Sequence, residues 1–198
     1  MNKKFYKDIT YVIKPHDVLV LVNKNNKLPS SFIPDNLVAI DLKYANADRL
    51  VREEAKINFE RLCYDAQKLG HTIIAISAFR DFDYQNQLYN HYVEKKGQEY
   101  ADLASARPGH SEHQTGLAID IMGSNEDYNK FEESVEFEWM KNNAHLYGFI
   151  LRYPKGKENI TGFKYEPWHY RYIGKKVATI IYNENITLEE YLKKLKNT

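Results

Sequence analysis

The chain has 198 residues, 43% of them hydrophobic and 28% charged, the proportions of an ordinary globular protein, which exclude a disordered, collagenous or coiled-coil chain. With 28 basic against 27 acidic residues the net charge is +1, so there is no bulk electrostatic reason to bind a polyanion, and no nucleic-acid partner is expected. The single cysteine, Cys63, excludes an internal disulfide framework and any Cys-rich metal site; a metal, if present, must be held by histidines and carboxylates.

Taken in chain order, residues 1–47 alternate short apolar segments with turn signals such as Lys14-Pro15 and Ile33-Pro34, which reads as an N-terminal arm with small strands, packed on a domain of residues 48–198. No chemistry is placed in the arm. Its longest apolar run, Val18-Leu19-Val20-Leu21-Val22, falls far short of the roughly 18 residues that cross a bilayer, so no transmembrane segment is expected. Lys3, Lys4 and Lys7 resemble the start of an export signal, but Asp8, Thr10, Lys14, His16 and Asp17 interrupt what should follow. The chain as it stands is expected in the cytoplasm, or outside it if a leader has been removed.

Over residues 48–69, Val51, Ala55, Phe59, Leu62, Ala66 and Leu69 recur at spacings of three and four with Gly70 behind them, predicting an amphipathic helix that buries one face. Cys63 lies beside Leu62 in it and is read as small core filler. A short strand is predicted over 72–76, and Asp81 caps a helix running to about Lys96. In Leu117-Ala118-Ile119-Asp120-Ile121 the apolar positions face one way and Ala118 and Asp120 the other. A carboxylate on such a strand needs a reason. A helix over 128–145, strands over 149–151 and 168–173, a turn-rich loop over 154–162 and a last helix opened by the capping box Thr187-x-x-Glu190 complete the chain. Interleaved helices and strands with short late connections predict the α+β class.

Two stretches carry the chemistry. In Pro108-Gly109-His110-Ser111-Glu112-His113-Gln114-Thr115-Gly116-Leu117-Ala118-Ile119-Asp120, Gly116 lets the backbone turn so that His113 folds back over the face bearing Asp120, with Ala118 leaving room for an ion. In Glu166-Pro167-Trp168-His169-Tyr170-Arg171, a strand presents His169 and Arg171 on one side. His113, Asp120 and His169 with one open position make the ligand pattern of a catalytic zinc, and Glu166 is left over as a general base. On residue types alone the alternative is two hydrogen-bonded histidines and an aspartate that caps or pairs.

Ser111-x-His113-x-x-Gly116-x-Ala118-x-Asp120, followed by Glu166-x-x-His169, resembles the signature of the LAS metallopeptidases, zinc peptidases that cut D-amino-acid-containing bonds in bacterial cell-wall peptides. At roughly 5% usage per residue type, the five positions of the first half would coincide by chance about once in a few million starting points. The resemblance runs from about Ser77 to Gly174 and is closest to the VanY and LdcB-like carboxypeptidases. Tyr147-Gly148-Phe149-Ile150-Leu151-Arg152-Tyr153-Pro154 with Tyr165-Glu166-Pro167-Trp168-His169 also resembles the VanXY dipeptidase/carboxypeptidases of glycopeptide resistance.

This resemblance implies a small, mainly antiparallel sheet flanked by helices, with one Zn2+ in a cleft on the sheet. It implies that Arg80 steadies the scissile carbonyl as negative charge builds and that Ser111 and Gln85 hold the terminal D-alanine and its carboxylate. His110, Tyr165 and Tyr170 are candidate pocket walls, and Arg171 either supports the ligands or is a surface charge. The implied reaction is removal of the C-terminal D-alanine from peptidoglycan stem peptides or their precursors by a monomeric zinc metallopeptidase. A D-Ala-D-Ala dipeptidase or bifunctional enzyme is the enzymatic alternative. A non-catalytic wall-binding module is the alternative of another class, disfavoured because every mechanistic position is occupied.

Overall fold

The structure, a computed structural model, describes residues 5–124 and 126–197. In chain order its elements are β1 (Thr10–Tyr11), β2 (Asn26–Lys27), β3 (Leu37–Ala39), β4 (Leu50–Arg52), α1 (Glu53–Lys68), β5 (Ile74–Ser77), α2 (Phe82–Lys96), α3 (Gln98–Ala104), β6 (Ala118–Met122), α4 (Val135–Asn143), β7 (Phe149–Leu151), α5 (Glu158–Thr161), β8 (His169–Tyr172), α6 (Lys175–Glu184) and α7 (Leu188–Lys196). The architecture is the α+β one expected, built on a four-stranded sheet in the order β5-β6-β8-β7, antiparallel at every pairing. No described helix is long and apolar enough to cross a membrane.

The alternation read from the strands decides what covers each face. Leu117, Ile119 and Ile121 are all fully buried in the main core with Phe59, Leu62 and Ala66 of α1, side chains whose removal from water stabilises by roughly 1.5–3 kcal/mol each for the larger ones. Phe149 of β7 and Tyr172 of β8 extend that face, Phe149 lying between Phe59 and Tyr172 in edge-to-face ring contacts. Cys63 is 2% exposed in the same core, and its burial pushes the thiol well up. The arm is stitched through two clusters by its own alternation: Val20 and Val22 join the main core while Leu19 and Leu21 pack on the second one formed by Ile150, Ile173, Ala178, Ile181 and Leu188.

Several expected boundaries move. The helix over 48–69 begins at Glu53, because Leu50–Arg52 is drawn into an antiparallel pair with Leu37–Ala39. It ends as expected: Gly70 takes φ +84, and the N–H groups of Gly70 and His71 reach back to the carbonyls of Gln67 and Ala66 at 3.0 and 3.1 Å. The strand over 72–76 is shifted to Ile74–Ser77. The single helix over 128–145 is broken into a 3-10 turn (Tyr128–Glu133), α4 and a second 3-10 turn (Ala144–Tyr147). The cause of the first break is Ser134, whose Oγ caps α4 by accepting the Phe137 N–H at 3.1 Å. Helices α3 and α6 have no counterpart in the sequence reading; both follow a glycine and have no side-chain cap at the N-terminus.

Candidate active site

The β6–β8 ladder sets Asp120 directly across from His169 and Ala118 across from Arg171. Cross-strand partners share a face with Cβ atoms about 5 Å apart, so one register joins the carboxylate to one imidazole. The room that Ala118 leaves lies opposite the Arg171 side chain. The other imidazole comes from a 3-10 turn, Glu112–Thr115, capped by Ser111, whose Oγ accepts the His113 N–H at 3.3 Å. Gly116, at φ +67, then turns the backbone into β6, and a Cβ there would stand 2.8 Å from Leu37 Cδ2. Opposite the site β5 carries an irregularity between Ala75 and Ser77, which brings Ser77 alongside Asp120. One ligand atom from each of His113, Asp120 and His169 lies within 4.8 Å of the others, and all three residues are buried.

The ring hydrogen bonds say which nitrogens are free. His113 Nδ1 is 2.6 Å from the Ala78 carbonyl oxygen; a carbonyl only accepts, so Nδ1 carries the proton and Nε2 keeps its lone pair. Burial, aided by Arg80, pushes His113 down to about 4, so the ring is neutral at neutral pH. Its Nε2 stands 3.2 Å from Asp120 Oδ2 and finds no hydrogen-bond partner among the described residues. A lone pair facing a buried carboxylate is unfavourable unless a cation sits between them. His169 presents Nδ1 to Asp120 Oδ1 at 2.8 Å and Nε2 to Glu112 Oε2 at 3.5 Å. Burial alone would lower its pKa, but the two carboxylates outweigh burial and push it up to about 9. Both histidines thus mark a place built for positive charge. Two imidazole nitrogens and a carboxylate oxygen are a donor set that zinc takes, and the residues fit the metal.

His113, Asp120 and His169 open onto a cavity of about 340 Å³ whose walls include Arg80, Ser111, Glu166, Tyr92, Tyr128 and Trp168. Burial, with Asp120 adding to it, raises Glu166 to about 7 against the opposing pull of His169, Lys164 and Arg80. Arg80 donates from Nη1 to Ser77 Oγ at 3.3 Å, and its Nε is buried without a partner among the described residues. Gln85 is 1% exposed and stands behind the wall: its Nε2 donates to Ser105 Oγ and the Ala106 carbonyl at 3.1 and 2.8 Å, two residues that line the cavity. The structure places the three expected wall residues elsewhere. His110 is engaged through Nδ1 with the Asn23 carbonyl at 2.9 Å, while Tyr165 and Tyr170 line a separate cavity beside α4 and α6.

Sequence reasoning missed the layer beneath the His113, Asp120 and His169 group. Glu112 Oε1 accepts from Arg152 Nε at 2.8 Å and from Arg171 Nη1 at 2.7 Å. Arg171, read as either a support or a surface charge, is fully buried. Burial works to raise the Glu112 pKa, but the two guanidiniums hold it far below the carboxylate range. Part of the signal was available: Arg171 interrupts a strand that otherwise reads as core, the argument that singled out Asp120, and Arg152 directly follows another.

A buried His-Asp-His group beside a glutamate poised near neutrality is the equipment of metal-dependent hydrolysis. The model of the family VanY: D-alanyl-D-alanine carboxypeptidase matches residues 48–175, and the chain belongs to that family. YodJ of Bacillus subtilis (strain 168) is 40% identical over an alignment of 189 residues that covers 92% of this chain and 69% of YodJ. The solved structure of the LdcB LD-carboxypeptidase superposes with a TM-score of 0.89 at 39% identity, covering 95% of this chain and 91% of that one. A variant of the D,D-pentapeptidase VanY from a VanB-type resistance cassette, solved in complex with Zn(II), superposes with a TM-score of 0.76 at 31% identity over 88% of this chain and 98% of that one.

Proposed function

We propose that the chain is a carboxypeptidase that removes the C-terminal D-alanine from peptidoglycan stem peptides or their precursors, using one zinc held by His113, Asp120 and His169. The observation that carries this reading is the meeting, in one cavity, of that buried ligand group with Glu166. Zinc, when bound, supplies a Lewis acid that polarises the scissile carbonyl and acidifies water. Glu166, at about 7, is balanced between accepting and returning a proton near neutral pH. It takes the proton of the attacking water and delivers it to the departing amine, which regenerates the carboxylate. The buried Nε of Arg80, unpartnered among the described residues, is a donor in reserve for the oxyanion. Ser111 on the cavity wall receives the terminal carboxylate, and Gln85 serves the same end of the substrate by fixing Ser105 and Ala106.

The deciding experiment incubates the protein with muropeptides ending in one or two D-alanines and weighs the products. Release of a single D-alanine, abolished by a chelator and restored by zinc, is expected. Elemental analysis should find one zinc per chain, lost in His113→Ala and His169→Ala. Release of intact D-Ala-D-Ala would replace the carboxypeptidase reading with a dipeptidase one, and full activity in protein verified free of metal would end the zinc reading.

A further inference from the structure

Beneath the ligands lies a buried ionic network whose members come from both ends of the chain. Glu112, Arg152 and Arg171 have fully buried side chains. Both guanidiniums bind Glu112 through Oε1, so that Oε2 is left facing His169 Nε2 at 3.5 Å and has no hydrogen-bond partner among the described residues. Arg152 is in turn gripped by Glu189 of α7, with Nη1 and Nη2 at 2.9 and 2.7 Å from its two carboxylate oxygens. Glu189 also accepts from Asn23 Nδ2 at 3.2 Å. Arg171 Nη2 donates to the carbonyls of Val18 and Val20 in the arm, both at 2.9 Å. The arm residues and Glu189 lie outside the residues 48–175 that the family model matches.

We infer that Glu112 is a positioning residue for His169, holding the proton on Nε2 so that Nδ1 is presented to the metal, and that Glu189 and the arm hold Glu112 in place through Arg152 and Arg171. The inference rests on the reading of His169 as a metal ligand. Magnitudes favour positioning over stability as the network's effect. Buried ion pairs are on average no better than apolar packing of the same volume, whereas the acceptor behind a ligating imidazole typically changes metal affinity 10–100-fold. The ring is aimed twice over, since β8 fixes its backbone and Glu112 fixes its rotation and tautomer.

The test measures zinc dissociation constants of the full chain by competition with a chromophoric chelator, with wild type, His169→Ala, Glu112→Gln and Glu189→Gln compared. Glu112→Gln should bind zinc roughly 10–100-fold more weakly. Glu189→Gln, acting through Arg152, should lose roughly two- to tenfold, although it is remote from the metal. Nitrogen-detected NMR of the imidazoles in zinc-loaded wild type gives a readout that needs no variant and no activity: the proton of His169 should reside on Nε2, protected from exchange. A proton on Nδ1 instead, or folded Glu112→Gln and Glu189→Gln proteins that bind zinc within twofold of wild type, overturns the inference. If wild type takes up no zinc, or His169→Ala takes it up equally, the fault lies with the ligand assignment itself.

Discussion

Gly116→Ala tests whether the turn that delivers His113 is as necessary as the ligand. Two terms set its magnitude. At φ +67 an L-residue pays about 1–2 kcal/mol for the left-handed backbone. The new Cβ would also meet Leu37 Cδ2 at 2.8 Å, Arg52 Cγ at 3.1 Å and the Arg52 nitrogen at 3.4 Å. Leu37 is half-buried and can swing part of the way, but the Arg52 N–H is tied to the Gly116 carbonyl at 2.8 Å. Overpacking therefore adds about 1–2 kcal/mol, the lower part of its usual range, for a total loss of about 2–4 kcal/mol. Gly70→Ala is the matched control, since Gly70 has φ +84 with nothing within 4 Å of its Cβ position, and only the backbone term of about 1–2 kcal/mol applies. Denaturant unfolding of both variants in metal-free protein measures the two losses, and chelator competition measures zinc affinity, which should fall for Gly116→Ala and hold for Gly70→Ala. Equal destabilisation by the two substitutions, or normal zinc binding in Gly116→Ala, would refute the argument.

Glu166→Gln removes a base but no ligand, so zinc content should stay near one per chain while kcat falls by about 10²- to 10⁴-fold; zinc lost in proportion to activity would make Glu166 a ligand instead. Because Glu166 must be ionised to accept a proton and its pKa is raised to about 7, kcat/KM should fall as pH drops through the neutral region, and an acid limb at the ordinary glutamate value would contradict the assignment. Amidation of the substrate's C-terminus should cost at least about tenfold, or about 1.4 kcal/mol, and Ser111→Ala should narrow that gap; equal cleavage of free and amidated peptides would show an endopeptidase. Lys24 is 3% exposed, and burial lowers its pKa to about 8 despite the pull of Asp102. Its charged form therefore weighs against folding below pH 8, and this penalty is relieved between pH 8 and the unfolded value near 10.5. Across that window the unfolding free energy of wild type should rise relative to Lys24→Met, and parallel pH slopes would refute the burial argument.

The residues proposed as metal ligands, and the turn beside them, were legible where they broke a pattern that their surroundings kept. Asp120 stands in an otherwise apolar strand, and Gly116 stands where a backbone must turn. Caps were legible for a similar reason: Asp81 and Thr187 each bond to an N–H three residues on, so their signal is entirely local. Leu50–Arg52 was not legible as a strand, because its partner Leu37–Ala39 lies across a loop and Val51 is equally buried under either reading. The break at Ser134 was hidden since apolar residues continue past it, and α6 opens without a side-chain cap. The Glu112–Arg152 pair joins positions 40 residues apart, a distance over which neither periodicity nor local motif carries information. Gln85 shows the same limit at the level of a single side chain: α2 and its cap predict the helix, but which way a buried amide points depends on Ser105 and Ala106.

Asp120 and His169 meet across one rung of the β6–β8 ladder, which makes the distance between them independent of the chain that runs from one to the other. That excursion passes through α4, β7 and α5 and sends Tyr128, Phe163 and Trp168 to the cavity rim before it returns. Insertions or deletions within it can reshape the rim while the rung keeps its length. The chain is in this sense modular: the sheet fixes the rung, and the rim is set separately from it. Grafting only the rim segments around Tyr128 and Phe163, with Arg152 and Glu166 kept, is the natural way to reshape the rim without disturbing the His113, Asp120 and His169 group.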